Sequence, residues 1–310
     1  MTYLALVAAG ALLLLLWALP VFWSNQAHGG RDFNSIERLL TQGRVLMMYL
    51  GQILVPLPSH MPFNYDELVV SRSLLQPATT LPSLLAIAGL LSWAWAWRKR
   101  RPVFSLGVLL FFAGHLLAST IIPLELAFEH RNHLPLIGVL LALADLIEAG
   151  WQRWASRPLL PATLLASVVL ATVVAGGLRA YAWGDPIRFA KHNLANSPDS
   201  PRAWLALGGA YFDLAGRKEG RGSPYLDLAI ATVEEAAART GSPSAYSNIV
   251  IYKTIDGTVD QADWDRLLQR LEEVPMVPAN KAILWTSFAN VRAGIGLDKT
   301  QVLRVAGTIA

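Results

Sequence analysis

Two apolar runs, residues 81–97 and 103–122, are joined by Arg98-Lys99-Arg100-Arg101. Backbone amides in stretches this long and uncharged are satisfied inside hydrocarbon only by helices, so the pattern predicts two membrane-crossing helices hinged on a cationic turn. Further apolar runs cover residues 3–23, 134–147 and 159–181. The first has no basic segment ahead of it and exceeds the apolar core of a usual export signal, so it reads as a span. Trp17, Trp23, Trp93, Trp95, Trp97, Trp151, Trp154 and Trp183 stand near the ends of these runs, where indoles anchor at headgroup level.

The expected fold is therefore all-α: a polytopic transmembrane helical domain of about five spans over residues 1–183, followed by a soluble helical array over residues 184–310. Charged residues make up 15% of the chain, against about 25% in soluble domains, which excludes a purely soluble class. Arg98–Arg101 assigns its own side to the cytoplasm, and Arg153 and Arg157 fall on that side by the same count. Residues 24–80, the loop around residues 123–135 and the whole tail then face outward. Arg31, Arg38, Arg44 and Arg72 run against this rule only weakly, being spread over a longer loop. Within that loop, residues 36–55 form a helix that lies in the interface or dips into the membrane.

The tail carries Trp204-x-x-Leu207-Gly208-x-x-Tyr211, which matches the first helix of a tetratricopeptide repeat. Ala229, Val233 and Ala236 fit the inner face of the second helix, residues 226–239, after a turn lengthened by residues 217–224. Pro243 is expected to close that unit. Asp260 or Asp263 caps a further helix through Leu267, Leu268 and Leu271, which Pro275 and Pro278 break. Residues 281–293 and 299–306 are the last helices, for roughly two to three hairpins in all.

Chemistry concentrates in Glu125-Leu126-Ala127-Phe128-Glu129-His130-Arg131-Asn132-His133, between two apolar runs. Ionisable side chains at a membrane mouth are costly and mark function by default, although some merely mark where a chain leaves the lipid. Read as a helix end, Glu125, Glu129 and His133 share one face. A metal site from Glu129, His130 and His133 is disfavoured: the imidazoles are at i and i+3 rather than i and i+4, and Pro135 interrupts the helix. An anion suits Arg131 better, because guanidinium binds phosphate bidentately at any relevant pH. Glu129 would orient it or accept a sugar hydroxyl. Asp66 and Glu67, with Arg72 close behind, are the candidate catalytic acids; equally, they cap helices and solvate loops. His115 sits in an apolar run, where a hydrogen bond to a neighbouring helix is the simpler role, and Gly114 permits a close helix approach. The absence of cysteine excludes disulfides and thiolate metal sites, no cofactor or metal is identified, and topology accounts for the net charge of +4 without nucleic acid.

The run Gly114-His115-Leu116, Ile122-Pro123-Leu124-Glu125 and Glu129-His130-Arg131-Asn132-His133-Leu134-Pro135 resembles bacterial polytopic membrane proteins with C-terminal tetratricopeptide repeats. It is similar to the TMTC-type O-mannosyltransferases of the GT-C class, with His133 where a Tyr is usual. Arg38 to Tyr49 and Val70-Ser71-Arg72-Ser73-Leu74 extend the likeness. The resemblance implies sugar transfer from a lipid-phosphate donor to protein at the outer face of the bacterial inner membrane. Arg131, Glu129, His130, His133, Glu125 and Arg72 would then contact the donor, and the repeat tail would hold an acceptor or partner protein. Such enzymes carry an acidic pair in a first outer loop, which Asp66-Glu67 follows too late to match. The chain is thus expected to correspond to the C-terminal half of such a protein, in a truncated or inactive form. A non-catalytic membrane-anchored scaffold for envelope proteins is the alternative from another class. A surface-polysaccharide polymerase or ligase fits less well, since its large outer loop lies between spans.

Overall fold

The computed structural model describes Gly10, Leu13, Leu16 and residues 31–122, 124–153 and 159–309. Most of the expected first span, as well as Trp17, Trp23, Pro123, Trp154 and Arg157, lies outside the described residues. Among the described residues the chain is helical, without a strand. It divides into two compact units, one comprising Asp32–Phe63 and Leu68–Arg179, the other Asn64–Glu67 and Ala180–Ala310. The division falls after Arg179, and Arg31 and Asn64–Glu67 of the long loop belong to the second unit.

The first unit begins with α1, Ser35–Leu54, whose start is a capping box. Asn34 Oδ1 accepts from the Glu37 amide and Glu37 Oε2 from the Asn34 amide, both at 2.9 Å, which satisfies two amides the helix cannot. Its buried face is largely polar: Arg38, Gln42, Val45, Tyr49 and Gln52 recur at helical spacing, while Ile36, Leu39 and Leu54 are exposed. This face turns its polar side chains toward the loop of residues 118–128 and leaves several apolar ones outward.

Helices α2 (Thr80–Trp97) and α3 (Pro102–His115) flank the cationic turn, and α4 (His133–Arg153) and α5 (Leu159–Trp183) follow. Arg101 donates to the Asp145 carboxylate of α4 at 3.1 Å, a partner hidden from local sequence patterns. Ser105 Oγ donates to the Ala94 carbonyl at 2.7 Å, tying α3 to α2. The α3 and α4 backbones touch where Gly107 faces Gly138. A Cβ on Gly138 would stand 2.5 Å from the Gly107 oxygen, and one on Gly114 would stand 2.9 Å from Pro135 Cγ. Small residues permit such backbone approach between helices in lipid.

Among the described residues, three helical segments are long and apolar enough to cross a membrane: Thr80–Trp97, Glu129–Arg153 and Pro161–Trp183. In the last, Val168, Leu170, Val173 and Leu178 are all exposed. The expected helix over residues 103–122 ends early, at His115. At 14 residues α3 spans about 21 Å, short of a hydrocarbon core of about 30 Å. The carbonyls that would continue the helix are diverted to Arg38, described below.

The second unit contains α6 (Pro186–Asn196), α7 (Pro201–Leu214), α8 (Pro224–Thr240), α9 (Pro243–Asp256), α10 (Gln261–Glu273), α11 (Pro278–Arg292) and α12 (Lys299–Ile309). Five of these begin with proline. α8 ends at Thr240, before Pro243, and α10 at Glu273, before Pro275 and Pro278, as expected of closing and breaking prolines; Pro243 and Pro278 also open α9 and α11, because the first helical position needs no amide donor and favours proline's φ. Gly241 and Gly257 end α8 and α9 at φ +60° and +88°, the left-handed region where a side chain would clash. Both candidate acids act at the start of α10: Asp260 caps it and Asp263 completes the box. The core gathers Leu226, Ala229, Val233, Val250, Leu267 and Leu271. A Cβ on Gly208 would meet Val233 Cγ1 at 2.8 Å, so this glycine sets how closely α7 lies on α8.

Candidate functional site

The charged segment is not a helix end. Residues 124–128 are irregular, Glu129–Asn132 form one 3₁₀ turn, and α4 starts at His133, with Pro135 tolerated in its first turn rather than interrupting it. Glu125, Glu129 and His133 therefore do not share a helical face.

The irregular stretch is strapped down by α1. Arg38, wholly buried, donates to the carbonyls of Thr120 (2.8 Å), Leu124 (2.6 Å) and Ala118 (3.2 Å). One turn on, Gln42 Nε2 donates to the Leu126 carbonyl at 2.9 Å. Tyr49 Oη then donates to the Phe128 carbonyl (3.0 Å) and accepts from the Phe128 amide (2.6 Å). Three side chains of one helix face thus replace the backbone pairing that residues 118–128 lack.

On that frame Arg131 Nη1 donates to the Glu125 carbonyl at 2.7 Å, and its guanidinium stands 5.3 Å from the Phe128 ring centre. Among the described residues Arg131 forms no ion pair; carbonyls and a ring hold it. His130 stacks on Phe128 at 5.1 Å, and His133 Nδ1 lies 2.6 Å from the His130 carbonyl. Glu129 does not orient Arg131. Its carboxylate pairs with Arg179, which also donates to the Met61 carbonyl at 3.0 Å. No group of three metal-ligating side chains occurs among the described residues. Beneath the turn, His115 is 1% exposed, stacked on Tyr49 at 5.0 Å and edge-on to Phe111 at 5.0 Å. Among the described residues, its two ring nitrogens, Gln42 Oε1, Ser119 Oγ and Asn132 Oδ1 are buried outside regular hydrogen-bond geometry; the polar side chain interacting with His115 is Asn132, on the 3₁₀ turn.

The other candidates do not join this cluster. Arg72 binds Asp32 at 2.5 Å and Glu37 at 3.1 Å, bracing the start of α1. Asp66 and Glu67 lie in the second unit. Asp66 accepts from Ser200 Oγ (2.5 Å) and Arg202 Nε (2.7 Å), and Glu67 accepts from the Asp199 amide (3.0 Å), so both secure the start of α7. In that helix Trp204 Nε1 donates to the Pro198 carbonyl at 2.8 Å, Leu207 is buried, and Trp204 and Tyr211 pack on the core that holds Ala229. Arg38, Gln42, Tyr49 and Arg179 escaped the sequence reading as site residues. The helical spacing of polar residues through α1 was the available signal for the first three; for Arg179 it was a lone charge inside the apolar run 159–181.

No family model matches this chain, and no curated protein and no solved structure matches it either.

Proposed function

We propose that this chain is a GT-C-like membrane protein related to protein O-glycosyltransferases, and that it binds the phosphate of a lipid-linked sugar at Arg131. The observation that carries this reading is the guanidinium of Arg131, fixed at the head of a span-length helix by a carbonyl and a ring, with its charge left for an anion. His130 and His133 supply further polar groups on the same turn. The full reading keeps about five spans and puts the turn and the repeat-like tail on the outer side of a bacterial inner membrane. The Trp204–Tyr211 helix and its partner bearing Ala229 then belong to a tetratricopeptide-like array that holds an acceptor or partner protein.

Transfer of a sugar from phosphate to a hydroxyl breaks the sugar–phosphate bond and needs a base for the hydroxyl proton. Asp66 and Glu67 are engaged at a helix start and Glu129 by Arg179, which supports a donor-binding role without catalysis by this chain's own acids. The same observation favours a second reading, a membrane-anchored scaffold that recruits envelope proteins through its tail.

Membranes containing the chain and its Arg131→Ala variant are tested for retention of a polyprenyl-phosphate sugar. Retention is expected to fall at least tenfold in the variant, the loss of one charge-assisted contact of about 1.5–3 kcal/mol. Equal retention rejects donor binding and leaves the scaffold. Sugar transfer by the chain alone would reject the non-catalytic assignment.

A further inference from the structure

Helix α11 turns two unlike faces outward and inward. Asn280, Ile283 and Ser287 are buried, whereas Lys281, Trp285, Phe288 and Arg292 are exposed. Their spacing of four, three and four residues puts these four on a single narrow stripe of the helix. Trp285 is 73% exposed and Phe288 38%. On α12, Leu303 is 65% exposed, with Lys299 one turn before it. The α11 sequence contains no acid, and among the described residues neither Lys281 nor Arg292 forms an ion pair.

We propose that this stripe docks the second unit on an anionic lipid surface. The argument is charge complementarity combined with shape. Indole and phenyl rings enter the headgroup boundary, while the long stems of Lys281 and Arg292 carry their charges to lipid phosphates on either side. A neutral apolar partner would strip both cations of water without giving them an anion. The end of span-length α2 uses the same pairing, with Arg98 over the Trp95 ring at 4.1 Å. This inference does not depend on the role proposed for Arg131.

The chain has no cysteine, so Ala289→Cys, on the exposed flank of the stripe, gives one labelling position in these 310 residues. The protein carrying a nitrobenzoxadiazole label there is reconstituted into phosphatidylcholine vesicles and into equimolar phosphatidylcholine–phosphatidylglycerol vesicles. In the anionic vesicles the label is expected to shift to the blue and to be quenched by nitroxide-bearing lipid, and molar salt should reverse both. Adding Lys281→Gln and Arg292→Gln should cut the docked fraction roughly fivefold per cation. A label unquenched in both vesicle types, or quenched equally in both and at any salt, overturns the proposal. Quenching that follows protein density rather than lipid composition overturns it as well, in favour of a second copy of the chain. Because the salt and lipid comparisons use the Ala289→Cys protein alone, the outcome stands even if the double substitution perturbs folding.

Discussion

The Glu129 carboxylate pairs with the Arg179 guanidinium, fifty positions further along the chain, rather than with Arg131 two positions away. Both side chains are only about a fifth exposed, so the pair is weakly screened. It holds the turn before α4 against the end of α5 and, among the described residues, leaves Arg131 without an ion pair. Glu129→Gln and Arg179→Met should each lower stability, and their double-mutant cycle should give a coupling of roughly 1–3 kcal/mol in detergent-solubilised protein. Strictly additive losses would show that the pair carries no coupling.

Arg38 organises three carbonyls that have no helical partner. Arg38→Met keeps the volume but orphans them in a buried setting, so the first unit should lose roughly 3–5 kcal/mol. Limited proteolysis should then cleave within residues 116–128 well before the wild-type loop is cut. A protease pattern matching wild type would contradict the strap.

Contact between α3 and α4 depends on the absence of side chains at Gly107 and Gly138. Gly138→Val drives a branched side chain into the Gly107 carbonyl and forces the helices apart. A loss of roughly 1–3 kcal/mol is expected. Gly150→Val, where the added atoms meet open space, serves as the control. Similar melting of the two variants would argue against close packing at Gly138.

Lys253 bridges Glu234 at 2.7 Å and Asp263 at 3.3 Å, and Asp263 is almost fully buried. Burial lowers the Lys253 pKa, but the two carboxylates outweigh it and hold the ammonium above its ordinary range. A raised value in the folded state means that the contribution is complete below the unfolded pKa and is lost as pH rises through the folded one. The second unit should therefore melt at lower temperature above about pH 10, and Lys253→Met should remove that alkaline step. An unchanged alkaline profile in Lys253→Met would assign the step to another group.

Apolar runs, tryptophans at their ends and the Arg98–Arg101 turn made the helical class and the span-length helices readable without coordinates, because burial in lipid depends on composition over about twenty residues. The Trp204–Tyr211 pattern and an aspartate cap located several tail helices, and Pro243 and Pro278 marked where helices stop, but their second role, opening α9 and α11, went unread, since a proline forbids continuation and favours initiation equally well. The charged segment was legible as a concentration of ionisable residues, and its geometry was not. Helical spacing alone put Glu125, Glu129 and His133 together; Arg38, Gln42 and Tyr49 pulled the backbone of residues 118–128 out of that helix by supplying partners more than seventy positions away in sequence. The sequence by itself determined where charge sits beside apolar helices. Only tertiary structure decided which charges neutralise one another, pairing Glu129 with Arg179 and Asp66 with Arg202, because hydrogen bonding and ion pairing depend on distance in space and local patterns carry none of it.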